Sequence, residues 1–88
     1  MKISEILYKA AEGPLGRSMY NPLGSVRIAI DHASRDEEWD YNLSCKAAGY
    51  YATLYDVRAW YNPADEFNED HIRLALTMAA TIAEYEGL

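Results

Sequence analysis

Apolar residues recur three and four apart along several stretches of the chain, the spacing of helices that bury one face. The clearest stretch is the C-terminal run from Phe67 to Leu88. There Ile72, Ala75, Leu76, Ala79, Ile82 and Ala83 fall on one side of a 3.6-residue spiral. Asn68 is suited to cap its first turn, and Glu69 and Asp70 follow at the positive end of the helix dipole. Phe67 and Ile72 have the spacing of a hydrophobic staple, and Gly87 stands where a left-handed C-cap belongs. Such a helix is about 27 Å long. Leu74 and Met78 lie off its main stripe, so two sides of it are expected to be covered, as in the central helix of a small bundle.

Three shorter helices are predicted upstream. Over residues 3–12, Ile3, Ile6, Leu7, Ala10 and Ala11 share a face and Glu5 can pair with Lys9. Gly13-Pro14 stops this helix, glycine by accepting the left-handed cap and proline by refusing to continue the spiral. Residues 13–21 read as a loop, and Asn21-Pro22 opens a second helix with proline at its first position. Leu23, Val26, Ala29, Ile30 and Ala33 form its inner stripe, with Arg27, Asp31 and Arg35 facing water. The rival reading is a strand over residues 25–31, since Val26, Ile28 and Ile30 also alternate, but no second strand offers to pair with it.

After the polar corner at residues 36–40, Asp40 can cap a third helix with Leu43, Ala47, Tyr50, Tyr51 and Leu54 on its apolar face. Gly49 lies inside it, which implies a closely packed backbone or a break. Residues 57–61 form a further short turn before Asn62-Pro63, and residues 62–67 lead into the last helix. The expected fold is all-α: a small single-domain bundle of about four helices spanning residues 1–88, with α+β as the alternative if residues 25–31 are a strand.

Charge and composition narrow the function. Net charge is −6, unevenly placed. Residues 1–30 carry four bases against two acids, net +2, and residues 31–88 carry twelve acids against four bases, net −8. An acidic surface repels phosphate backbones, so direct nucleic-acid binding is not expected. No apolar run approaches the roughly 20 residues of a membrane span, and no apolar core follows Lys2 as in a signal peptide. Cys45 is the only cysteine, which rules out an internal disulfide, fits a reducing cytoplasm and reads as a small buried hydrophobe.

No glycine-rich phosphate loop, Cys-x-x-Cys or His-x-x-x-His is present, so no catalytic residue, metal ligand or cofactor is assigned. The two histidines are each preceded by an acid. His32, Asp36, His71 and Asp70 could gather a divalent metal only if their helices packed side by side; otherwise both histidines are surface residues. The acids Asp65, Glu66, Glu69 and Asp70 around the last helix start serve capping, or present a patch to a basic partner.

Aromatic residues are concentrated. Of eleven, seven lie between 39 and 61: Trp39, Tyr41, Tyr50, Tyr51, Tyr55, Trp60 and Tyr61. One helical stripe cannot bury them all, and such rings gather at interfaces because they combine large area with a polar tip. The segment Val57-Arg58-Ala59-Trp60-Tyr61-Asn62, an acidic loop and Asn68-Glu69-Asp70-His71-Ile72 resembles the C-terminal half of a family of small helical proteins common in actinobacteria and their phages. That family's pattern is Trp-Asn-Asp, a Thr-led cap and an amphipathic helix. Here Tyr61 stands between Trp60 and Asn62, and the likeness covers about a third of the chain. The resemblance implies a small accessory protein, phage-encoded, and carries no chemistry with it.

The expectation is therefore a non-enzymatic interaction protein that binds a protein partner or itself. Its site would comprise Trp39, Tyr41, Tyr51, Tyr55, Trp60 and Tyr61 with the acidic rim Asp65 and Glu66. Two alternatives stand beside it: an acidic mimic of nucleic acid that blocks a basic groove on a host protein, and a small metal-dependent protein using the His/Asp positions. A homodimer is attractive because Ala75, Ala79, Ala80 and Ala83 would let a second copy's helix approach closely.

Overall fold

The computed structural model describes residues 2–15, 22–35, 41–54 and 69–88. Four helices occupy them: α1 (Ile3–Glu12), α2 (Pro22–Ala33), α3 (Tyr41–Leu54) and α4 (Glu69–Tyr85). No strand occurs among the described residues, and residues 25–31 are helical. The protein is an all-α bundle. Pro22 is the first residue of α2, where its missing N–H costs nothing. The inner stripe of α2 is Val26, Ala29, Ile30 and Ala33, as the periodicity predicts.

The central helix is α1, not the long α4. Short as it is, α1 packs against each of the other three helices and pairs most extensively with α4. Ile6 and Leu7 are completely buried, and Ala10 and Ala11 continue the same face. Across from them α4 presents Ile72, Ala75, Leu76, Ala79, Ala80 and Ala83. The alanines expected to receive a second copy are thus consumed inside the chain. Because both surfaces are rich in small side chains, the two backbones can approach closely.

Both ends of α1 are tied to α4. A ten-residue helix leaves four N–H groups at its start and four carbonyls at its end without internal partners. At the start, the Ser4 N–H and hydroxyl donate to the main-chain oxygen of Leu88, at 3.3 and 3.4 Å. At the end, Arg73 donates from one guanidinium nitrogen to the carbonyls of Ala11 and Gly13, at 2.7 and 2.8 Å. The cation also opposes the negative end of the α1 dipole.

Gly13 does not take the left-handed cap that its type allows. Its φ is −86° and ψ −174°, because the proline that follows excludes helical conformations from the preceding residue. The left-handed cap occurs at Gly87 instead, with φ +79°. There Leu88 N–H donates to Ala83 O (2.8 Å) and Gly87 N–H to Glu84 O (3.1 Å), the paired bonds of a Schellman ending. This turn places Leu88 against Ser4. Asn68 and Phe67, expected to cap and staple α4, and the turn at residues 57–61 lie outside the described residues.

On α3, Gly49 neither breaks the helix nor admits a close backbone. A Cβ there would meet nothing within 4 Å. Gly49→Ala is therefore expected to stabilise the protein by about 0.5–1 kcal/mol through the backbone entropy that glycine loses on folding. Thermal or urea melting reads this directly, and an unchanged or lower midpoint contradicts it. Arg73→Met is expected to lower stability by about 2 kcal/mol, since two carbonyls lose the charged donor that they share. For a domain of this size that lowers the melting temperature by on the order of 10 °C, and a drop under about 2 °C would show that Arg73 does not hold α1.

Candidate functional site

Of the residues expected to form the interaction site, Trp39, Tyr55, Trp60, Tyr61, Asp65 and Glu66 lie outside the described residues. Tyr41 and Tyr51 are described, and they separate. Tyr41 begins α3 and is 55% exposed. Tyr51 is 1% exposed, packed in the core with Ala47 and Ala48 of its own helix, and so is not a surface residue. Its ring fills space that the many small core residues leave open. Its neighbour Tyr50 is half-buried and donates to the Glu86 carboxylate at 2.8 Å, fastening α3 to the end of α4. Burial first, and then the Glu86 hydrogen bond, push the Tyr50 phenol above its ordinary pKa, so the donor stays protonated.

Among the described residues, Ile28 of α2, Tyr41 of α3 and Leu88 are exposed singly, and the other exposed large apolar side chains lie together on α4. Leu74 is 62% exposed, Met78 50%, Ile82 39% and Tyr85 93%. At about 100° per residue, Leu74, Met78 and Tyr85 fall within about 40° of one another around the helix, with Ile82 about 80° from Leu74. They form one outward stripe, roughly three turns long. Leu74 and Met78 were expected to be covered and Ile82 to face the core; all three face out. The helix turns its alanines inward with Ile72 and Leu76, and leaves Leu74, Met78, Ile82 and Tyr85 outward.

The polar atoms along one border of the stripe are already engaged. Thr77 donates its hydroxyl to Arg73 O and Thr81 to Thr77 O, both at 2.9 Å, the back-bonding open to threonine within a helix. The Thr81 hydroxyl also meets the Tyr8 hydroxyl of α1 at 3.0 Å. What Thr77, Thr81 and Tyr8 offer a partner there is therefore methyl groups and one tyrosine ring. Asp70 and Glu84, both exposed, lie on the same border of the helix.

A second feature joins α2 to α3. Arg27 was expected to face water, but it is half-buried and donates to the Cys45 sulfur at 3.3 Å. Cys45 is likewise half-exposed rather than buried. The Arg27 hydrogen bond holds the Cys45 thiol below its ordinary pKa, against the burial that raises it, and a hydrogen bond with Tyr41 acts in the same direction as Arg27. Nearby, Arg35 just past the end of α2 pairs with Asp31 at 3.1 Å, an exposed ion pair of little energetic weight.

Among the described residues no three of His, Cys, Asp and Glu gather as a metal site would require. His32 is exposed near the end of α2; Asp36 and the side chain of His71 lie outside the described set. No helix among the described residues is long and apolar enough to cross a membrane. No family model matches the chain, nor does any curated protein or solved structure.

The thiol's environment has a measurable consequence. Its folded pKa is depressed, so thiolate forms at lower pH than in an unperturbed cysteine. The pH profile of Cys45 alkylation by iodoacetamide should therefore lie to the acid side of that of the urea-unfolded chain. Arg27→Gln should move it back toward higher pH, and coincident profiles for the two folded proteins would contradict the assignment.

Proposed function

We propose that this protein is a non-enzymatic interaction module that docks another protein against the outward face of α4. One observation carries the reading: a helix that buries Ala75, Ala79, Ala80 and Ala83 while leaving Leu74, Met78, Ile82 and Tyr85 in water. Fully burying a side chain such as leucine, isoleucine or methionine yields about 1.5–3 kcal/mol, so an exposed run of them is a standing gain for whatever covers it. Methionine adapts its shape to a partner, and an exposed tyrosine supplies a large ring at low entropic cost. A small accessory role, phage-encoded as the resemblance of residues 57–72 implies, agrees with this reading. The docking face lies on α4 itself, beyond the aromatic segment 39–61.

The test is affinity capture with two baits, the wild-type chain and the triple variant Leu74→Gln/Met78→Gln/Tyr85→Gln. Glutamine keeps helix propensity, and exposed substitutions of this kind shift stability by about 0.5 kcal/mol or less each, so the circular dichroism should match. At least one protein should be retained by the wild type and lost by the variant. Identical captures by the two baits, or none by either, would sink the proposal.

A further inference from the structure

We infer that the occupant of the α4 face is a basic amphipathic helix of another protein, and not a second copy of this chain. This rests on the interaction reading above and names the partner's chemistry. The shape of the site sets the first condition. The stripe is straight, borders Tyr8 of α1, and runs about 16 Å from Leu74 to Tyr85. It offers no open backbone edge for strand addition, because the α4 backbone is engaged in its own helix. An apolar helix face laid along it satisfies both facts.

Charge sets the second condition. From Glu69 to Leu88 the chain carries Glu69, Asp70, Glu84 and Glu86 against the single base Arg73, net −3. Arg73 is turned to the carbonyls of Ala11 and Gly13. Helix α1 contributes Lys2 and Lys9 against Glu5 and Glu12, and so adds no net charge to the border. Acids thus stand at both ends of the stripe, Asp70 before Leu74 and Glu84 and Glu86 around Tyr85.

A second copy is disfavoured by this placement. Paired antiparallel, the Asp70 end of one α4 would meet the Glu84 and Glu86 end of the other; paired parallel, each acid would meet its own image. Like charges across an interface oppose association, whereas lysines and arginines flanking an apolar seam would be attracted and steered to it. The homodimer expected from the alanine-rich face loses its basis as well, since those alanines lie against α1.

The experiment titrates the intact chain with three synthetic peptides of about 18 residues, long enough to form a helix on binding. One is an amphipathic Leu/Lys helix, one its Leu/Glu counterpart, and one a Leu/Lys peptide of the same composition with the helical period scrambled. Binding is read by anisotropy, and light scattering follows the chain alone. The amphipathic Leu/Lys peptide should bind, and the other two should bind at least about tenfold more weakly. Its affinity should fall several-fold with rising salt and in Asp70→Asn/Glu84→Gln, and be lost in Leu74→Gln/Met78→Gln/Tyr85→Gln.

Equal binding to the stripe variant would mean charge attraction alone, and overturns the inference. Equal binding of the Leu/Glu helix, lost in the stripe variant, overturns the basic partner while leaving apolar docking in place. A mass of about 20 kDa that reverts to 10.0 kDa in the stripe variant identifies a second copy as occupant, again with the docking face intact. No binding by any peptide and no self-association overturns the inference, and the two-bait capture then judges the docking face separately.

Discussion

A helix of ten residues has no claim to stability in water by itself, yet α1 carries the largest share of the packing among the described helices. What holds it is α4, at three places. Arg73 takes the open carbonyls at one end, Leu88 takes the open donor of Ser4 at the other, and the alanine-rich seam between them brings the backbones together. The far clamp depends on Gly87. Only a residue that tolerates positive φ can turn the chain sharply enough after Tyr85 to set Leu88 over the start of α1. Tyr50 adds a tie from α3 to the same end through Glu86.

The seam has a consequence on the opposite side of α4. A helix that lies close to its neighbour must present small side chains to it, and Ala75, Ala79, Ala80 and Ala83 do so. Of its bulkier apolar residues, Ile72 and Leu76 join the alanines inside and the rest are left the outer side. Rather than burying every large hydrophobe it has, the chain uses close packing for its core and leaves Leu74, Met78, Ile82 and Tyr85 outside. Tyr51, Ile6, Leu7, Ile30 and Leu76 supply the volume that the alanines do not.

Much of this fold is legible in the pattern of residues, for physical reasons. The helices of residues 3–12 and 22–33, and the glycine cap at 87, follow from periodicity and backbone rules that act locally. Periodicity marks the covered face of α4 at Ile72, Ala75, Leu76, Ala79 and Ala83, and misplaces Ile82, which stands at the edge of that stripe. At Gly13 the proline neighbour, and not glycine's own freedom, decides the conformation. The Arg73 clamp and the Arg27–Cys45 contact join residues far apart in sequence, and no local rule reports them. Of the expected site, Tyr41 lies on the surface and Tyr51 inside, on the apolar face of α3 where helical spacing sets it.

Rotating α4 about its axis by half a turn would bury the outward stripe and expose the alanines together with Ile72 and Leu76, so the two orientations can be compared. Such a rotation would carry Arg73 away from the end of α1 and leave the carbonyls of Ala11 and Gly13 without their partner. It would also set leucine, methionine and tyrosine between α1 and α4, forcing the axes apart toward the wide end of the roughly 8–10 Å range and opening Ile6 and Leu7 to water. Losing hydrogen bonds to a buried helix end and loosening the centre of the core are each penalties of about 1–3 kcal/mol or more. Those penalties offset the gain from covering the stripe internally. The same clamps that make α1 the centre of the bundle therefore keep the apolar face of α4 available to a partner.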